Sequence, residues 1–237
     1  SVAVTDSIEV NAWHLTQPDA DATVLFFGGN GFYLVQSRGY LRALTRPSAN
    51  AFLWDYRGYG QSDGQPSVEA FRRDALAVYD AVVERQGVDP DNLVVWGHSL
   101  GSFLATYVAT ERSVAGVVLE NPAADVDDWV GHLIPWYVRF FLGVDVEPAL
   151  REESNRDRVS SLQVPLLIVG GAEDNITAPE MARDLYEAAG SSQKDLVIVE
   201  DGGHNGLYEE PSVQDAYRTL IDSIVGASQA SASSQED

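Results

Sequence analysis

Three kinds of side chain in this chain are spaced as nucleophilic catalysis would need them: a hydroxyl, an imidazole and a carboxylate. The hydroxyl is Ser99, at the centre of Gly97-His98-Ser99-Leu100-Gly101. A G-x-S-x-G run between a strand and a helix holds its serine on a sharp, strained turn, with the hydroxyl exposed at the top of a sheet. The two glycines are expected because a Cβ at either flank would strike the neighbouring strand or helix. A helix starting here also aims free N–H groups at any oxyanion that forms. Alone, the pentapeptide is a weak signal, and an ordinary turn of a nucleotide-binding sheet is its bland reading. Its setting strengthens it: the apolar run Leu93-Val94-Val95-Trp96 precedes it, and a small-residue helix to about Thr110 follows.

A serine hydroxyl attacks poorly at neutral pH without a base, and the base needs a group to orient it. Where this elbow occurs, the chain visits serine, then acid, then histidine. Of four histidines, His14 precedes the elbow, and His98 inside it reads as a packing or hydrogen-bonding residue. His132 and His204 follow, and only His204 sits in a glycine-rich loop, Gly202-Gly203-His204-Asn205, just after a strand. His204 is therefore the expected base. The expected acid is Asp174, after the Val164–Val169 run and before a helix that starts near Pro179. Glu173 is the near competitor and Asp125 the remote one; a turn residue or helix cap is the bland reading of Asp174. Two backbone donors complete the set: the N–H of Leu100, and that of Asn30 in Gly28-Gly29-Asn30-Gly31. A simple glycine turn is the plain alternative for that loop.

Other chemistries fit less well. The Gly28–Gly31 run is neither G-x-G-x-x-G nor a P-loop with its Lys-Ser/Thr. The acidic groups Asp125, Asp127, Asp128, Glu152 and Glu153 lack an ordered ligand spacing with histidines and read as a solvated face, so no metal is expected. Acyl transfer by serine needs no cofactor.

The elements that must position these residues can be read from periodicity. Continuous apolar runs at Thr23–Phe27, Ala51–Trp54, Leu93–Trp96, Val114–Glu120, Val164–Val169 and Asp195–Val199 predict strands covered on both faces. Helical spacing marks Leu34–Leu44, a long stretch from Pro66-Ser67 to Gln86 with Gly87 as its stop, Ala178–Ala189 and Ser212–Val225. Val2–Val4 and Ile8–Leu15 read as an antiparallel edge hairpin. Alternating strands and helices predict an α/β fold with a mostly parallel, doubly wound sheet, and ligands bind at the C-terminal ends of such strands. Each candidate residue lies just after a strand.

The interval from Ala123 to Gln163 breaks this rhythm, being too long for a simple loop. It carries Trp129, Leu133, Trp136, Tyr137 and Phe140 close together. Three readings stand: a helix packed on the core, a small helical cap whose aromatics line an acyl pocket, or a lid that touches lipid. The cap is favoured, and membrane contact is not expected.

The 237 residues, 45% of them hydrophobic, suit one α/β domain over residues 1–226. The small, polar tail 227–237 is expected to be disordered. A net charge of −21 repels nucleic acid and anionic membrane. The absence of cysteine removes thiolate chemistry and disulfides. A first residue of serine rather than methionine reads as a processed exported protein or a trimmed chain, with export favoured over the cytoplasm.

With these residues in hand, the chain resembles the α/β-hydrolase fold superfamily from about Val2 to Gly226. The segments FFGGNG, DYRGYGQSDGQPS, GHSLG, GGAEDNITAP and GGHNGLYE resemble ABHD-type serine hydrolases, which carry an HGN oxyanion motif and a DYRGYGxS loop. The resemblance implies the triad Ser99, Asp174 and His204 and the oxyanion donors Asn30 and Leu100. It departs at Gly28, where the family usually has a histidine that supports the oxyanion loop. The expected function is hydrolysis of a small-molecule acyl ester or thioester through an acyl-enzyme. The rivals are a peptidase or a lysophospholipase or lipase on the same triad, and a non-catalytic binding module.

Overall fold

A computed structural model describes residues 1–134 and 148–233 of the chain. The main sheet has seven strands. They are β3 (Ala12–Leu15), β4 (Ala22–Phe27), β5 (Ala49–Trp54), β6 (Leu93–His98), β7 (Gly116–Glu120), β8 (Leu166–Gly171) and β9 (Lys194–Val199). Their spatial order is β3-β5-β4-β6-β7-β8-β9. All neighbours are parallel except β3, which runs antiparallel along β5. The N-terminal stretch expected as one hairpin is divided. β1 (Val2–Thr5) and β2 (Ile8–Val10) pair in a separate two-stranded sheet, and β3 leaves it to cover the edge of β5. Trp13 and Leu15 on β3 stay about two-fifths exposed, as an edge strand allows.

The central strands are buried along their length, which is why they read as unbroken apolar runs. Alternate residues still go to opposite faces. Leu25, Phe27, Val95, Val117 and Ile168 enter one core with α2 (Val68–Gln86), α3 (Gly101–Glu111) and α7 (Pro179–Ala188). Val24, Phe26, Val94, Trp96, Val118 and Val169 enter the other with α1 (Arg38–Leu44) and α8 (Pro211–Ser233). The sheet is thus wound on both sides, as expected.

Local signals explain the helix ends. Ser67 accepts the Ala70 N–H at 3.2 Å and caps α2, and Gly87, with φ of 70°, stops it. Within 123–163 lie α4 (Val126–Leu133), α5 (Pro148–Arg151) and α6 (Asn155–Ser161). Helix α8 runs through Ser233, into the stretch expected as a tail, and residues 234–237 lie outside the described residues. Residues 227–233 hold no Gly or Pro, and extending a formed helix costs far less than nucleating one.

Candidate active site

The strand ends bring the predicted residues together. Ser99 follows β6, is 3% exposed and has φ of 52°, a left-handed conformation costly for a side chain that is not glycine. The turn is pinned on both sides. Its N–H donates to the Glu120 carbonyl at 2.9 Å, and its carbonyl accepts the Ser102 N–H at 2.9 Å and the Ser102 hydroxyl at 2.6 Å. Both elbow glycines have the steric reason expected of them. A Cβ on Gly97 would stand 2.5 Å from the Gly101 carbonyl oxygen, and one on Gly101 would meet the carbonyls of Phe27 and Gly28. These obstacles are backbone and cannot rotate away. Asn155, fully buried on α6, braces the turn from beneath by donating to Ser102 Oγ at 2.8 Å.

His204, after β9, stands between the other two groups. Its Nε2 is 2.9 Å from Ser99 Oγ and its Nδ1 is 2.7 Å from Asp174 Oδ2. An ionised carboxylate only accepts, so Nδ1 carries the hydrogen and Nε2 turns its lone pair to the serine. Asp174 is also the turn residue of its bland reading: Oδ1 accepts the N–H groups of Ile176 (2.7 Å) and Thr177 (3.0 Å). That leaves Oδ2 for the imidazole and for the Thr177 hydroxyl at 2.8 Å. Burial works against the charged carboxyl, but the hydrogen bonds from His204, Ile176 and Thr177 hold it below its ordinary value of 3.8. The competing carboxylates lie elsewhere: Glu173 is exposed, and Asp125 pairs with Arg156 at 3.1 Å.

His98 has the hydrogen-bonding part expected of it, whereas spacing alone did not single out Thr177 and Asn121. His98 donates Nε2–H to the His204 carbonyl at 3.0 Å, and burial lowers its pKa to about 4, so the ring is neutral near pH 7. Thr177 and Asn121 also touch the base and its loop. Thr177 stands three residues after Asp174, a spacing that turn chemistry makes legible in hindsight. Asn121 had only its place at a strand end.

The loop after β4 lies against the serine. A Cβ on Gly29 would stand 3.3 Å from Ser99 Cβ, and Asn30 next to it is exposed. Two residues of the DYRGYG segment hold this loop: Tyr56 donates its hydroxyl to the Gly28 carbonyl at 2.7 Å, and Asp55 accepts the Leu34 N–H at 2.7 Å. The missing histidine at position 28 has a replacement in space. A Cβ on Gly28 would stand 2.5 Å from Phe32 Cβ, so the Phe32 side chain occupies that volume.

Of the expected pocket residues, Trp129 packs against the core and donates its indole N–H to the Ile176 carbonyl at 3.0 Å, so α4 rests on the loop that carries Asp174. His132 adds a contact of 3.2 Å to the Asn175 carbonyl. Leu133 is 45% exposed. Trp136, Tyr137 and Phe140 lie outside the described residues.

One buried acid lies just behind the elbow. Glu120 is fully buried, and burial raises its pKa from 4.5 to about 7, against hydrogen bonds from Trp96 Nε1 and the Tyr208 N–H. A value above that of the unfolded chain means that the group favours folding fully below about 4.5, and that this contribution is lost as pH rises through about 7. Glu120→Gln stays neutral at every pH, so its stability relative to the native protein is the control. Between pH 4 and pH 8 the native protein should lose roughly 3 kcal/mol relative to this variant, at about 1.36 kcal/mol per pKa unit. Melting temperatures of both proteins at the two pH values check this.

Comparison with known proteins adds three findings. A family model described as "Serine aminopeptidase, S33" matches residues 18–151 and 153–211. In sequence, the chain is 28% identical over 225 residues to an uncharacterized protein of Mycobacterium tuberculosis, covering 94% of this chain and 76% of that one. It is 29% identical over 216 residues to alpha/beta hydrolase domain-containing protein 17C of Xenopus tropicalis, covering 85% and 66%. In structure, it is similar to the proline iminopeptidase of Mycobacterium smegmatis, with a TM-score of 0.76, 13% identity and coverage of 96% and 98%.

Proposed function

Since the chain belongs to the serine aminopeptidase (S33) family of the α/β-hydrolase superfamily, we propose that it is a serine hydrolase that cleaves carboxylic esters or thioesters of small molecules. The observation that carries this reading is the unbroken line from Ser99 Oγ through the His204 ring to Asp174, with steps of 2.9 and 2.7 Å. Ser99 Oγ attacks the acyl carbon while His204 Nε2 takes its proton. Asp174 holds the tautomer and stabilises the imidazolium. The oxyanion of the tetrahedral intermediate is held by the N–H groups of Leu100 and Asn30. The intermediate collapses as His204 returns the proton to the departing alcohol or thiol. Water, deprotonated by the same nitrogen, then frees Ser99 and releases the acid.

The test is reaction with a fluorophosphonate, together with p-nitrophenyl esters of two to sixteen carbons. The expected result is one label per chain, on Ser99, and turnover of at least part of the ester series. A folded protein that neither labels nor hydrolyses is the non-catalytic binding module. A peptidase on the same triad is the second reading, favoured by the family description; short peptides tested beside the esters separate the two.

A further inference from the structure

Asn121 carries no reacting atom, yet it is tied directly to the strand end that leads to Asp174 and to the loop that carries His204. It follows β7, is 1% exposed and has φ of 45°, a left-handed conformation that asparagine tolerates better than most residues. Its amide is fully used. Oδ1 accepts the Gly171 N–H at 2.9 Å, at the end of the strand that leads to Asp174. Nδ2 has two hydrogens and two acceptors, the carbonyls of Gly203 (3.1 Å) and His204 (2.9 Å). The main chain of Asn121 is engaged as well. Its N–H donates to Val169 O at 2.8 Å, and its carbonyl is 3.0 Å from the Thr177 hydroxyl, which also lies 2.8 Å from Asp174 Oδ2. The residue before it, Glu120, accepts the Ser99 N–H.

The loop that carries His204 has reason to depend on such a tie. At Gly203 a Cβ would meet nothing within 4 Å, so packing does not wedge the chain on that side. Hydrogen bonds to the loop's carbonyls then share in setting the position of the ring, beside the close approach of Gly171 to the Gly202 and Gly203 carbonyls. The His204 carbonyl accepts two of them, from Asn121 Nδ2 and from His98 Nε2, and His98 adjoins Ser99 in the chain. The backbone of the base is thus fastened from the strand end on one side and from the elbow on the other.

We propose that Asn121 is the positioning residue of the base, holding the Gly203 and His204 carbonyls so that the imidazole stands between Ser99 and Asp174. The proposal rests on the serine-hydrolase reading above. Without the amide, the loop retains its chain connections, the bonds from His98 and the Glu173 N–H, and the ring's contacts with Asp174 and Ser99, but the Gly203 carbonyl loses its donor and the His204 carbonyl one of two, which lets the ring shift. A displacement of about 1 Å at a reacting group can cost about 100-fold in rate. Asn121 is buried behind the base and offers substrate no contact, so the loss belongs in kcat and not in KM.

Two variants test this in the full chain. Asn121→Gly keeps the left-handed backbone and removes the amide; Asn121→Asp keeps the shape and, when ionised, cannot donate. The measurements are kcat and KM on a p-nitrophenyl ester, the rate constant and final extent of fluorophosphonate labelling at Ser99, and thermal unfolding. Both variants should label to completion but about 10- to 100-fold more slowly than the native protein, with kcat reduced to match and KM within about twofold. An unchanged labelling rate overturns the proposal. So does a loss explained by fewer labelled molecules, or failure of both variants to fold, since each makes Asn121 a purely structural residue. A native protein that does not label overturns the serine-hydrolase reading itself, and this role with it.

Discussion

Ser99→Ala should leave a folded protein with ester hydrolysis reduced roughly 10⁶-fold, close to the residual rate that oriented binding and oxyanion stabilisation alone provide. The size follows from the arrangement. Among the described residues no other hydroxyl takes the place of Ser99 at 2.9 Å from His204 Nε2, and an imidazole without its nucleophile can only activate water from a poor position. Alanine is the informative choice because it keeps the Cβ, so the φ of 52° is no more strained than before. Folding is expected to persist because the pins of the turn are main-chain bonds to Glu120 and Ser102, which the substitution does not touch. Initial rates on the best ester, with melting temperature as the control for folding, decide the matter. Hydrolysis at the native rate in this variant removes Ser99 from the mechanism.

The largest effect on stability is expected at Arg57. Its guanidinium donates Nε–H and an Nη2–H to the two oxygens of Asp74, each at 2.5 Å. Asp74 is fully buried on α2, and Arg57 is 6% exposed. Arg57→Met would leave a carboxylate in the core without its counter-charge, a loss of about 3–5 kcal/mol. Arg73 cannot take over, because it is 3.9 Å away on a half-exposed side chain. A whole domain is stable by only about 5–15 kcal/mol, so this single change brings it close to unfolding. The pair also fixes the segment whose neighbouring residues, Asp55 and Tyr56, hold the loop of Asn30, so activity should fall as well. Urea unfolding of the variant checks the magnitude. Arg57→Met combined with Asp74→Leu should recover most of the stability, since a buried pair replaced by apolar residues is often neutral. A double variant as unstable as the single one would show that packing, not the stranded charge, is what Arg57 supplies.

The candidate site was unevenly legible in the sequence. Ser99, Asp174 and His204 could be read because each follows an apolar run and sits among glycines or turn formers, and because their order along the chain matches the elbow's requirement. Gly97 and Gly101 could be read because backbone sterics leave no other residue there. Phe32 at the place of the missing histidine, Thr177 beside the imidazole and Asn121 behind it could not. Thr177 and Asn121 meet the base loop from 27 and more than 80 positions away, and no local pattern encodes such a meeting. Trp129, expected in an acyl pocket, also supports the acid loop through its indole N–H, a contact that no local pattern announces. At the C-terminus small polar residues suggest a tail by composition, and a helix already formed can carry such residues as far as Ser233.

What the sequence by itself determined is the set of candidate groups and the strands that deliver them, because burial on both faces and tight turns leave marks within a few residues. What only the tertiary structure decided is how those groups are held: which carbonyl each donor finds, which carboxylate faces the ring, and which acid burial pushes up towards pH 7. Those outcomes depend on distances across the sheet, and neighbouring strands there come from remote parts of the chain.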